Sequence, residues 1–303
     1  MTWCEWLVCA ACDLYPTITP PAPPALDETP VYPREFVEEV RAVQGRTRGR
    51  LGMCGGEKGG SRGSRGMRRL DGVFEALTLV SRATTGERWR QVFQAGGPEK
   101  DAVAVVLDWV GNVLLVEVVR LVRGDPRDED DVVEVVEDGE DDGEGAGEEG
   151  LDADEGEGWV YAVLLHAANA YLCATLSEIP AISALNLVYL RRLRSALEGA
   201  VKGRNMHSAG VQQLGASSSG AEALDAPTLM WVLVVGWFLA EKTQAPGKAE
   251  FWFWFEARIL DLFSVMRIDE DQAAEMVEDF PATDLFRTKW RWLFLQEKFR
   301  GLH

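Results

Sequence analysis

The chain has 303 residues, 47% of them hydrophobic, and a formal net charge of −18. This excludes a wholly disordered chain, because the apolar content is enough to bury a sizeable core as one domain with or without tails. The acidity is local: residues 125–157 hold 18 acidic residues against Arg127, and the rest of the chain carries about −1. It therefore argues for solubility and against non-specific nucleic-acid binding by the molecule as a whole.

Residues 1–33 combine a short apolar start with seven prolines, from Pro16 to Pro33. Proline removes amide donors and extends its neighbours, so the expectation is an irregular arm. The start has Glu5 within its apolar run and no preceding basic residue, which makes a poor secretory signal. Residues 34–44 can form one helical piece. From Arg41 to Arg69, nine basic residues accompany Glu57 and a glycine-dense run, which reads as a solvated, disordered linker. The rival reading, an Arg-Gly segment that touches nucleic acid, lacks interleaved aromatics for base stacking. Residues 1–69 are thus expected to be an irregular arm, followed by a helical domain over 70–303.

Within that domain, Leu70, Phe74, Leu77 and Val80 fall at helical spacing, and a second piece carries Trp89, Val92 and Phe93 before Gly96, Gly97 and Pro98. Residues 101–122 are rich in β-branched residues, yet their length and the stripe Val105, Val106, Trp109, Val113, Val116 predict a buried helix. The acidic block, 125–157, then reads as a disordered loop. Residues 138–149 inside it loosely match a calcium-loop template, but Gly145 stands where an apolar anchor belongs and no exiting helix follows.

Residues 159–177 predict an apolar helix ending before Pro180. Residues 182–201 predict another, with Leu185, Val188, Tyr189, Leu193 and Leu197 inward. A second flexible loop is expected over 202–224. Asp225 ahead of Pro227 is a helix start, and residues 225–266 form two strongly apolar segments joined by a turn holding Thr243, Gln244, Pro246 and Gly247. Both read as helices deep in a packed core, around which the rest is organised. A short helix from Asp269 or Glu270 and a last one over 284–299, with Leu285, Phe286, Trp290, Leu293 and Phe294 inward, complete the pattern. The fold class is all-α, an irregular array of about seven to nine helices.

No catalytic constellation stands out. His166, His207 and His303 are scattered, and His166, near Tyr161, Asn169 and Tyr171 in the pattern, reads as a core histidine. Cys4, Cys9 and Cys12 offer three thiols without a fourth ligand, and with Cys54 and Cys173 they make an odd set suited to a reducing intracellular compartment. No cofactor or metal is assigned. The aromatic residues Trp231, Trp237, Trp252, Trp254 and Phe255 form either an effector pocket or plain core. Glu256, Arg258 and Asp261 beside them read as the outer face of a helix.

Four stretches carry a likeness: residues 161–180, 189–197, 226–241 and 251–286. Together they resemble the helical regulatory domain of the fungal-specific transcription factor family, whose members carry a zinc cluster. Trp231 and Gly236 in one apolar helix, followed by Trp254 and Phe255 in an aromatic-rich one, match that family's pattern. The resemblance implies an all-α regulatory module acting in the nucleus through protein partners or an effector. Such members bind DNA through a six-cysteine cluster, which Cys4, Cys9, Cys12 and Cys54 do not supply. The expectation is the regulatory part alone, as a stand-alone relative or as part of a longer product, with no direct sequence-specific DNA binding, no membrane insertion and no enzymatic activity. The rival expectation is a helical interaction scaffold whose acidic loop engages basic partners.

Overall fold

The computed structural model describes residues 32–53, 65–85, 87–94, 97–123, 155–176, 183–205, 224–267 and 270–300. These form ten α-helices and one π-helical turn, with no strand among the described residues. In chain order the helices are α1 (Arg34–Met53), α2 (Arg65–Thr85), α3 (Glu87–Gln94), α4 (Pro98–Arg123) and α5 (Glu155–Tyr171). After the π-turn (Leu172–Leu176) come α6 (Ala184–Asn205), α7 (Ala226–Lys242), α8 (Lys248–Met266), α9 (Glu270–Glu278) and α10 (Asp284–Arg300).

Helix α7 is the axis of the molecule. Asp225 caps it by accepting the Thr228 amide at 2.9 Å, and Pro227 sits in the first turn, where a missing N–H costs nothing. Every residue from Thr228 to Ala240 is buried, as a helix apolar on all sides requires. Helices α5, α6, α8, α9 and α10 all pack against it. Its C-terminus closes with the Thr243 amide on the Leu239 carbonyl, and the chain reverses into α8 at Gly247, whose φ of 89° suits a residue without a Cβ. Lys242 donates to the carbonyls of Cys173 and Ala174 at 3.1 and 3.2 Å, holding the π-turn that ends α5.

The helices on either side of residues 124–154 share one core. The Phe74 ring of α2 lies 5.3 Å from that of Trp231, and Ser81 Oγ is 2.8 Å from the Tyr171 hydroxyl. On the surface of the same junction, Arg46 and Arg50 of α1 pair with Asp279, while Arg82 of α2 and Arg287 of α10 converge on Glu278.

Several expectations need correction. The irregular arm does not extend through residue 69, because α1 runs to Met53 and α2 starts at Arg65. Phe36, Val40, Val43, Thr47 and Leu51 bury one continuous face of α1, and that burial outweighs the helix cost of Gly45 and Gly49, roughly 1 kcal/mol each. The first helix thus runs past the piece expected over 34–44, and the ten helices form the expected irregular all-α array, one beyond the expected seven to nine. Helix α5 begins at Glu155, inside the expected acidic loop, and α6 continues to Asn205, inside the expected second loop. Val105 and Leu285, expected inward, are exposed, while Glu256, expected on an outer face, is buried. The remainder of the proline-rich start, the Gly-rich centre, the calcium-like template and the thiols Cys4, Cys9, Cys12 and Cys54 lie outside the described residues.

Candidate binding face on helices α7, α8 and α10

The five aromatic residues singled out from the sequence divide by depth. Trp231 is wholly buried, stacked on Phe280 at 5.6 Å with an interplanar angle of 19°, and its indole N–H donates to the Pro281 carbonyl at 3.2 Å. With Phe74 and Tyr171 also against it, Trp231 is packed core. Phe255 is likewise buried, under the backbone of Gly236. Trp252 and Trp254, on the same helix, are half-buried and reach the surface.

Trp237 belongs to neither set. It has no exposed surface, yet its ring is 6.4 Å from Trp252 and 5.9 Å from Trp292, the latter stacked at 29°. Trp292 is 42% exposed, and Phe253, whose ring meets Trp252 at 4.9 Å, is 62% exposed. A chain of ring contacts thus joins two exposed aromatics through a buried one. Leu285 and Leu295, also exposed, lie seven residues before and three after Trp292, on the same face of α10. Large apolar side chains gathered on one face in this way mark a contact surface, whereas scattered ones do not.

Charge borders the aromatics. Lys289 Nζ is 5.8 Å from the Trp292 ring centre and 2.5 Å from Glu241 Oε1, so this ion pair joins α7 to α10 beside the Trp237–Trp292 stack. Glu241 follows Trp237 by one helical turn, and Trp292 follows Lys289 by one. On the other flank, Trp254 has the guanidinium of Arg194 at 5.4 Å and that of Arg258 at 5.7 Å, cation–π contacts that hold the ring in place.

Two indole donors on these helices are left over. Unlike Trp231, Trp237 has no hydrogen-bond acceptor for its indole N–H, and the same holds for Trp290. A buried donor without a partner costs about 1–3 kcal/mol. The sequence pattern missed Trp292, although the signal was present: Trp290 and Trp292, two residues apart, point some 200° apart on a helix. With Trp290 inward, Trp292 faces out.

The other candidate residues fall elsewhere. His166 is buried, and burial, reinforced by the Arg192 charge, lowers its pKa to about 4, so the ring is neutral. Cys173 is a buried thiol in the π-turn. Among the described residues no group of three His, Cys, Asp or Glu side chains converges as a metal site. A small cleft between α1 and α2, lined by Gln44, Thr47, Arg48, Leu51, Asp71, Phe74 and Glu75, has room for about one water. Trp159–Leu176 is long and apolar enough to cross a membrane, but 72% of it is buried within the fold.

No protein-family model matches the chain, and neither curated proteins nor solved structures yield a match.

Proposed function

We propose that the chain is a non-enzymatic regulatory module that acts by binding a protein partner or an effector at the aromatic face of α7, α8 and α10. The observation that carries this reading is the exposure of Phe253 and Trp292, linked through the rings of Trp252 and the buried Trp237, with Leu285 and Leu295 exposed on the same face of α10 as Trp292. Aromatic anchors with a cation at their edge are the side chains on which binding energy concentrates. A role in transcription, and with it a nuclear location, rests on the resemblance of residues 161–286 to the fungal regulatory domains.

The test is a reporter assay with the full chain fused to a heterologous DNA-binding domain. Wild-type chain is expected to change reporter output, and Trp292→Glu with Phe253→Glu is expected to cancel that change while leaving the helical content intact. If wild type and variant give the same output, the aromatic face is not the contact surface.

A further inference from the structure

We propose that α1 is a releasable clasp: it opens from the folded molecule as a unit and in doing so frees the turn between α9 and α10. The proposal does not depend on what the aromatic face binds.

The helix is weakened where its packing does not ask for it. Gly45 and Gly49 stand about one turn apart on its solvent side, and a Cβ at either would meet nothing within 4 Å. Both lie inside the helix with ordinary negative φ, so no turn, close approach or left-handed backbone requires a glycine there. Each lowers the stability of the helix with no packing return. The seam beneath is also incomplete. Gln44, Thr47, Arg48 and Leu51 face Asp71, Phe74 and Glu75 of α2 across the cleft that has room for about one water. Burial raises the pKa of Asp71 and of Glu75 against the pull of Arg48, so this seam keeps two carboxylates short of solvent.

Beyond its apolar face, α1 is tied at both ends. Near its start, Phe36 packs on the rings of Trp89 and Phe93 at 5.2 and 4.8 Å, and Glu39 accepts from the Trp89 indole at 2.8 Å. Near its end, Arg46 and Arg50 share the carboxylate of Asp279 at 3.1 and 3.0 Å. Arg46 also donates to the Glu278 carbonyl at 3.1 Å, and Thr47 to that of Asp279. Carbonyls at the end of a helix such as α9 have no partner within it, and α1 supplies their donors. Two residues on, the Pro281 carbonyl accepts from Trp231. When α1 leaves, the turn loses Arg46, Thr47 and Arg50 together and keeps its bond to Trp231. Such an opening belongs to the low-energy end of the unfolding events a native protein samples.

The test is native-state hydrogen exchange of the full chain in increasing urea, read residue by residue by NMR. The amides of Val40, Val43 and Thr47 are expected to share one opening, with a lower free energy and a weaker urea dependence than those of α7. The amides of Asp279 and Phe280, bonded to the Met276 and Val277 carbonyls, should follow that opening. Gly45→Ala and Gly49→Ala should each slow it about fivefold. Asp279→Asn, which discharges the carboxylate shared by Arg46 and Arg50, should speed it about tenfold. Gly236→Ala, which crowds α7 against α8, should speed the exchange of α7 and leave the opening of α1 unchanged. The proposal is overturned if α1 and α7 exchange with one free energy and one urea dependence, or if Gly236→Ala speeds both alike. It is equally overturned if the alanines leave α1 exchange as it was, or if Asp279 and Phe280 stay protected while α1 opens.

Discussion

Gly236 lies against the flat of the Phe255 ring: a Cβ at position 236 would fall 2.3 Å from Phe255 Cε1 and 2.4 Å from Cζ. Here the backbone of α7 comes against a side chain of α8 with no room for a methyl group between them. Because Phe255 is wholly buried, its ring has nowhere to move. Gly236→Ala is expected to destabilise the fold by about 1–3 kcal/mol, despite alanine's better helix propensity. Pairing it with Phe255→Leu should restore part of the loss, giving a coupling term of about 0.5–3 kcal/mol in urea unfolding. Additive losses would mean that the two residues do not share the contact.

The axis of this fold was legible because its signals agree. Asp225, Pro227 and an unbroken apolar run to Ala240 each mark α7 independently. What stayed hidden depended on three-dimensional neighbours. Residues 41–53 look like a solvated basic linker until Asp279 and Asp225 are seen beside Arg46 and Arg50. The candidate face was half-legible: the aromatic run in α8 named Trp252 and Trp254, but only the packing of α10 brings Trp292 over Trp237. Leu285 misled because an apolar residue next to an inward Phe286 reads as core, although adjacent helix positions diverge by about 100°.

Glu117 is the buried junction of three helices. Its carboxylate accepts from Arg69 of α2 at 2.9 Å and from the Tyr161 hydroxyl of α5 at 2.6 Å. Removing one partner of a buried charge pair strands the other, so Glu117→Ala is expected to cost about 3–5 kcal/mol. Glu38, paired with Arg34 in the exposed first turns of α1, provides the contrast: Glu38→Ala should cost no more than about 0.5 kcal/mol. Urea midpoints of the two variants at neutral pH settle the comparison, and similar losses would contradict the assignment.

Glu278 governs the acid response of the junction between α2, α9 and α10. Burial pushes its pKa up, but the charges and hydrogen bonds of Arg287 and Arg82 outweigh burial and hold it below the usual glutamate value of 4.5. A depressed carboxyl contributes stability above its unfolded pKa and loses it as pH falls through the folded value. Glu278→Gln should therefore be less stable than wild type at pH 7, with the difference shrinking below about pH 4.5 as the wild-type carboxyl gains its proton. A gap that persists unchanged at pH 2 would show that the loss comes from packing rather than charge.

His166 makes the opposite demand over a higher window. Its folded pKa is lowered from 6.5 to about 4, with burial the leading cause and Arg192 the second. The unfolded chain therefore takes up the proton first, and stability falls as pH drops from 6.5 towards 4, then levels once the folded state is protonated too. At about 1.4 kcal/mol per pH unit, the full loss approaches about 3.5 kcal/mol. Its Nδ1 has no hydrogen-bond partner, so an apolar residue of similar size gives up nothing there. His166→Leu is expected to match or exceed wild-type stability at pH 7 and to pull ahead steadily as the pH is lowered to 4. Subtracting the two stability curves cancels the acidic groups common to both chains. A difference that stays flat across this window would mean that His166 is charged in the folded protein, and that water or a carboxylate reaches it between α5 and α6.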